Sequence, residues 1–156
     1  MDTNTNHIHV LYVDDEENNL AAFKASFRRN FTVFTALSAD EGEKVLKENE
    51  IHVLITDQRM PERPGTELLA QAVKNYPDQT RIMLTGFSDI EALKDAINNG
   101  QIFQYLQKPW NDTELQDIIE KAYEVYRLKK RQRDLNEELR TINGQLEFML
   151  RQKLIS

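Results

Sequence analysis

The side chains able to do chemistry in this 156-residue chain sit at the ends of apolar runs. Asp14 and Asp15 follow one such run, Asp57 ends another, Thr85 ends a third and Lys108 follows a fourth. Aspartates brought together repel, and each raises the pKa of the others unless a cation intervenes. Mg²⁺, or Mn²⁺ in its place, is a hard cation often held by one or two carboxylates together with phosphate and water. A carboxylate can also attack phosphorus to give an aspartyl phosphate. Phosphoryl transfer then needs charge neutralisation more than acid–base work. A metal, an ammonium and a hydroxyl donor would supply it. Taken singly, an acidic turn residue caps a helix, a threonine closes a strand and a lysine is solvated surface. Four such groups at matching strand ends are hard to explain as turn chemistry.

These residues meet only if the runs before them lie parallel. Five β-rich runs recur along the chain: Ile8–Val13, Phe31–Ala36, Ile51–Thr56, Arg81–Thr85 and Ile102–Gln107. The first, third and fourth are almost continuously apolar, as strands covered on both faces should be. Helical spacing fills the gaps, in Leu20, Phe23 and Phe27, in Leu68, Leu69, Ala72, Val73 and Tyr76, and in Ile90, Leu93, Ala96 and Ile97, with a weaker helix from Asp40 to Glu48. Strict β-α alternation implies right-handed crossovers. The expected fold is α/β, a doubly wound five-stranded parallel sheet of (βα)5 type with the last helix extended into a coiled coil. Ligands of such sheets bind beyond the carboxyl ends of the strands, where the strand order reverses.

The motifs Val13-Asp14-Asp15, Asp57-Gln58-Arg59-Met60-Pro61 with Gly65, Thr85-Gly86 and Lys108-Pro109 resemble, in order and spacing, the signature of response-regulator receiver domains. The match covers roughly residues 8–122. The resemblance implies two-component signal transduction, with Asp57 as the phosphoacceptor served by a sensor histidine kinase or phosphotransfer protein. It also implies metal ligation by Asp15 and Asp57 directly, by Asp14 through water and by the Arg59 backbone carbonyl. Lys108 would pair with the phosphoryl oxygens, Thr85 would hydrogen-bond them, and Tyr105 would be the switch aromatic. The Lys108–Pro109 bond would be cis, a state proline permits at modest cost. Arg59 and Phe87 occupy variable positions two residues after Asp57 and Thr85, where they would tune the phosphoryl lifetime. Trp110 is expected to pack against the last helix. An aspartate-nucleophile phosphatase of the haloacid-dehalogenase type is a competing reading. Those enzymes place an acid two residues after the nucleophile, and Arg59 there counts against it. A phosphorylation-independent module is a third, and the intact set of Asp14, Asp15, Asp57, Thr85 and Lys108 counts against that.

Bulk composition agrees. Residues 1–119 hold 20 acidic and 11 basic side chains, and residues 120–156 hold 6 and 9. An acidic body argues against nucleic acid as its main ligand. The basic run Arg127–Arg133 reads as the solvated face of a helix. With no cysteine, a disulfide framework is excluded and a reducing, cytoplasmic setting fits. No apolar run approaches the length of a membrane helix. Apolar residues fall in a heptad with Val125, Leu139 and Leu146 at a and Leu128, Leu135, Ile142 and Met149 at d. Gln132 is a polar a position that would fix register at some cost in stability. The expected division is a receiver over residues 1–124 and a coiled-coil extension over 125–156, pairing as a parallel homodimer.

Overall fold

The computed structural model describes residues 5–86 and 90–155. Five strands, β1 (His9–Val13), β2 (Thr32–Ala36), β3 (Val53–Asp57), β4 (Thr80–Thr85) and β5 (Gln104–Gln107), alternate with five helices. The helices are α1 (Glu17–Phe27), α2 (Ala39–Glu48), α3 (Gly65–Asn75), α4 (Ile90–Asn98) and α5 (Asp112–Ile155). All strands pair parallel, in the order β2-β1-β3-β4-β5. The expected doubly wound α/β fold is therefore present. The chain steps from β1 outward to β2 and then back across to β3. The reversal point lies between β1 and β3, at the ends carrying Asp14 and Asp57.

Alternation along the strands builds two apolar layers. Val10, Tyr12, Ile55, Ile82 and Leu84 face α1 and the first turns of α5, packing on Phe23, Phe27, Leu115 and Ile119. Leu11, Val13, Leu54 and Met83 face the other way, toward Leu46, Leu68, Leu69 and Leu93. Central strands β1, β3 and β4 are almost wholly buried, whereas the edge strand β5 is largely exposed. Its short span starts two residues after the expected Ile102, which is buried but lies outside the ladder.

Local chemistry sets the helix starts. Ser38 accepts a hydrogen bond from the Glu41 N–H, and the Glu41 carboxylate accepts one from the Leu37 N–H. This is close to a capping box, shifted by one residue at its return bond. In the β3–α3 loop Arg63 reaches Asp40 and Glu43 at 2.7 Å each and Glu67 at 3.2 Å, tying α2 to the start of α3.

All three histidines gather at the strand ends away from the aspartates. The His9 N–H donates to His52 Nδ1 at 3.0 Å, and His52 Nε2 lies 3.1 Å from Glu50 Oε1. Tyr126 and Tyr123 pack on the buried His52 ring at centroid distances of 4.7 and 5.2 Å.

The chain divides into two compact units, one ending at Tyr126 and one starting at Arg127. In the second, Leu128, Leu135, Leu139, Ile142, Leu146 and Met149 are each at least 42% exposed. No helix among the described residues is long and apolar enough to cross a membrane.

Candidate phosphorylation site

Four strand ends, those of β1, β3, β4 and β5, place the candidate side chains. Asp14 follows β1 and has no exposed surface, while Asp15 beside it points to solvent. Asp57 is the last residue of β3 and is buried. Asp14, Asp15 and Asp57 each bring a carboxylate oxygen within 4.8 Å of the others, so together they can hold a metal ion. Lys108, just beyond β5, bridges two of them. Its Nζ lies 2.6 Å from Asp14 Oδ2 and 3.1 Å from Asp57 Oδ2.

The backbone enforces this meeting. The Lys108 N–H donates to the Thr85 carbonyl at 3.0 Å, which locks the end of β5 to the end of β4. The peptide bond between Lys108 and Pro109 is cis. Thr85 is fully buried, and its hydroxyl donates to the Gly86 carbonyl at 3.3 Å. Behind Asp57 the chain turns so tightly that a Cβ on Gly65 would stand 2.1 Å from the Asp57 carbonyl oxygen. Glycine is required there by close approach. The Gly65 N–H closes the turn on the Gln58 carbonyl at 2.9 Å.

Electrostatics separates the two buried aspartates. Burial works to raise the pKa of Asp14. Hydrogen bonds from Lys108, Tyr12 and the Glu16 N–H outweigh it and hold the carboxyl below its usual range. For Asp57 burial prevails over Lys108, and the carboxyl is raised. The Lys108 ammonium is opposed by burial, but Asp14 and Asp57 hold its pKa above the ordinary value. Asp14 is thus the secured anion of the pair and Asp57 the less comfortable one.

Other expected residues lie further out. Arg59 is exposed in the β3–α3 loop, two residues past Asp57. Tyr105, in β5 opposite Met83, is 37% exposed. Phe87 lies outside the described residues. Trp110 meets Tyr12 and Phe23 edge-on at 5.9 and 6.2 Å, and its Nε1 donates to Asp112. The indole packs against the apolar layer that β1, α1 and the first turns of α5 build together.

The motif reading did not single out Tyr12 or Asn19. The Tyr12 hydroxyl and Asn19 Nδ2 both donate to Asp14 Oδ2, at 2.5 and 3.1 Å. Tyr12 was visible in principle, since residues two apart on a strand share a face and its hydroxyl can reach Asp14.

Comparison with known proteins agrees with this geometry. Residues 10–120 match the response regulator receiver domain, and the chain belongs to that family. Receivers of this family act in two-component systems, interact with histidine kinases and bind Mg²⁺ through acidic residues. The hydrogenase transcriptional regulatory protein HoxA of Cupriavidus necator is 35% identical over 147 residues, covering 94% of this chain and 30% of that protein. The chain spans less than a third of the length of such curated relatives, at 28% and 30% for two of them. The receiver domain of an HD-domain-containing protein from Pseudomonas fluorescens Pf-5 superposes with a TM-score of 0.76 at 32% identity, covering 84% of this chain and 97% of that one. A structure described as adenylate cyclase from Rhodopirellula baltica gives a TM-score of 0.80 at 30% identity, covering 83% of this chain and 96% of that one.

Proposed function

We propose that Asp57 accepts a phosphoryl group from the phosphohistidine of a sensor kinase or phosphotransfer protein. The observation that carries this reading is the position of Lys108, whose Nζ is shared between Asp14 and Asp57 at 2.6 and 3.1 Å. An Asp57 oxygen attacks phosphorus, an O–P bond forms as the P–N bond breaks, and the electron pair leaves with the imidazole. Lys108, already in reach, pairs with the arriving phosphoryl oxygens, and the Thr85 hydroxyl donates to them. Tyr105 then turns inward behind Thr85, which alters the surface built from α4, β5 and the start of α5. The energy for that change is the difference in contacts between the two states. Arg59 and Phe87, by their sequence positions two residues after Asp57 and Thr85, tune the lifetime of the acyl phosphate.

Asp14, Asp15, Asp57 and the Arg59 carbonyl would hold Mg²⁺ or Mn²⁺. The fit rests on three oxygen donors gathered within 4.8 Å, a hard donor set suited to a hard cation. When bound, that ion supplies the positive charge that three carboxylates and a phosphoryl group together lack. The only reactions the chain catalyses in this reading are its own phosphorylation and dephosphorylation.

The heptad seam from Val125 to Met149, including Gln132, supports a second element of the reading, a parallel homodimer formed through this helix in the cytoplasm. Transcription as the eventual output is supported by the likeness to HoxA, through parts of a longer protein rather than by this chain touching nucleic acid.

Incubation with a small acyl phosphate and Mg²⁺, followed by intact mass, tests the central claim. The expected result is a gain of one phosphoryl mass that is abolished in Asp57→Asn and by chelation. A wild-type chain that gains nothing overturns it and favours a phosphorylation-independent module. Sedimentation tests the dimer: Leu139→Asp should shift the chain to monomer, and a monomeric wild type rejects the pairing.

A further inference from the structure

Asp14 Oδ2 receives more donors than one carboxylate oxygen comfortably takes. Tyr12 Oη, Lys108 Nζ and Asn19 Nδ2 converge on it at 2.5, 2.6 and 3.1 Å, from β1, the end of β5 and α1. An ionised carboxylate offers about two acceptor positions on each oxygen. One donor of the three is therefore in excess. Of the three, Lys108 and Asn19 each reach a second acceptor, Asp57 Oδ2 at 3.1 Å and Glu16 Oε2 at 3.2 Å, and it is Lys108 whose second acceptor is the reacting carboxylate.

The other two donors differ in firmness. Asn19 is partly exposed and divides its amide between Asp14 and Glu16, the latter at 3.2 Å. Tyr12 has no exposed surface, and its ring is wedged against Phe23 at 4.9 Å and Trp110 at 5.9 Å. Its hydroxyl is thus held in place by the core, and the donor it presents to Asp14 is preorganised.

We propose that Tyr12 is a positioning residue that keeps Asp14 anchored while Lys108 moves from Asp14 to the phosphoryl group on Asp57. The inference rests on Asp57 being the phosphoacceptor. A fully buried carboxylate that loses its lysine is costly to hold in place unless protein donors remain beside the metal ion it would share with Asp15 and Asp57. Tyr12 lowers that cost by leaving a strong, charge-assisted hydrogen bond in place when the lysine departs. Without the hydroxyl, Asp14 grips Lys108 harder, and the lysine reaches the transferring group less readily. The effect falls on the transfer step, and the encounter with the donor is untouched.

The test is the full chain carrying Tyr12→Phe, which keeps the ring and its packing. With a small acyl phosphate and Mg²⁺, the rate constant at saturating donor should fall about tenfold, the scale of one hydrogen bond to a charged group. The half-saturating donor concentration should change less than about twofold, since binding is spared. A readout independent of turnover is the Tyr12 hydroxyl proton, a slowly exchanging downfield NMR resonance missing from Tyr12→Phe. It should persist when beryllium fluoride and Mg²⁺ are added as an acyl-phosphate mimic. Equal rates in the two chains overturn the positioning role while leaving Asp57 as acceptor, and so does loss of the resonance with the mimic. A wild-type chain that takes up no phosphoryl group overturns both readings, and the two failures are thereby told apart.

Discussion

At the scale of single residues, the site sets reactivity against stability. The Asp57 carboxyl is raised by burial despite Lys108. A folded-state pKa above the unfolded value means stability that is present below the unfolded pKa and lost as pH rises through the folded one. Near neutral pH the ionised Asp57 therefore weighs against the fold. Asp57→Asn should raise the thermal unfolding midpoint at pH 7, with the gain shrinking as the solution is acidified toward pH 4. Thermal scans of both chains across that range check the sign, and a lower midpoint for Asp57→Asn at pH 7 contradicts it. Asp14 behaves oppositely, because its donors outweigh burial and hold its carboxyl low.

Among elements, the turn from β3 into α3 fixes where Asp57 points. Arg63 staples it to α2 and α3, and Gly65 lets the backbone pass the Asp57 carbonyl closely enough for the Gln58 bond to close. Gly65→Ala puts a Cβ where backbone already stands, and backbone yields less readily than a flexible side chain. The variant should lose roughly 1–3 kcal/mol of stability, the range for overpacking, and should be phosphorylated more slowly because Asp57 is displaced. Denaturant unfolding together with the intact-mass assay checks both. Strand ends of this kind are legible in a sequence, since an apolar run broken by acid, hydroxyl or lysine marks its own terminus. Gly65 was legible too, through its spacing from Asp57. Arg63 was not, because its partners Asp40 and Glu43 lie 23 and 20 residues back with β3 between, and only the packing of α2 on α3 brings them within reach.

For the whole molecule, β-α alternation announced a parallel doubly wound sheet, but strand order depends on which way each crossover turns, and no residue type encodes that. The site was legible as a set of members, while the sharing of Lys108 between two aspartates became visible only with β5 placed at the far edge of the sheet. The histidine cluster was equally hidden, since His7, His9 and His52 belong to two separate segments. Burial depresses His52 against the pull of Glu50, so its folded pKa lies below the ordinary value of about 6.5. The sign is that of a buried neutral base: its contribution to stability is complete above that value and lost as pH falls through the depressed one. Chemical denaturation at pH 7.5 and 5.5 should show wild type losing stability toward acid, and His52→Gln losing measurably less. Equal losses would place the acid sensitivity elsewhere.

The position of Trp110 has a practical consequence. It is the one tryptophan in the sequence, it lies two residues beyond Lys108, and it meets edge-on the ring of Tyr12, whose hydroxyl is bonded to Asp14. Any change in charge at the carboxylates is thus two contacts from the indole. The chain carries its own optical probe: fluorescence excited at the indole band should report occupancy of the site in real time, without label or antibody.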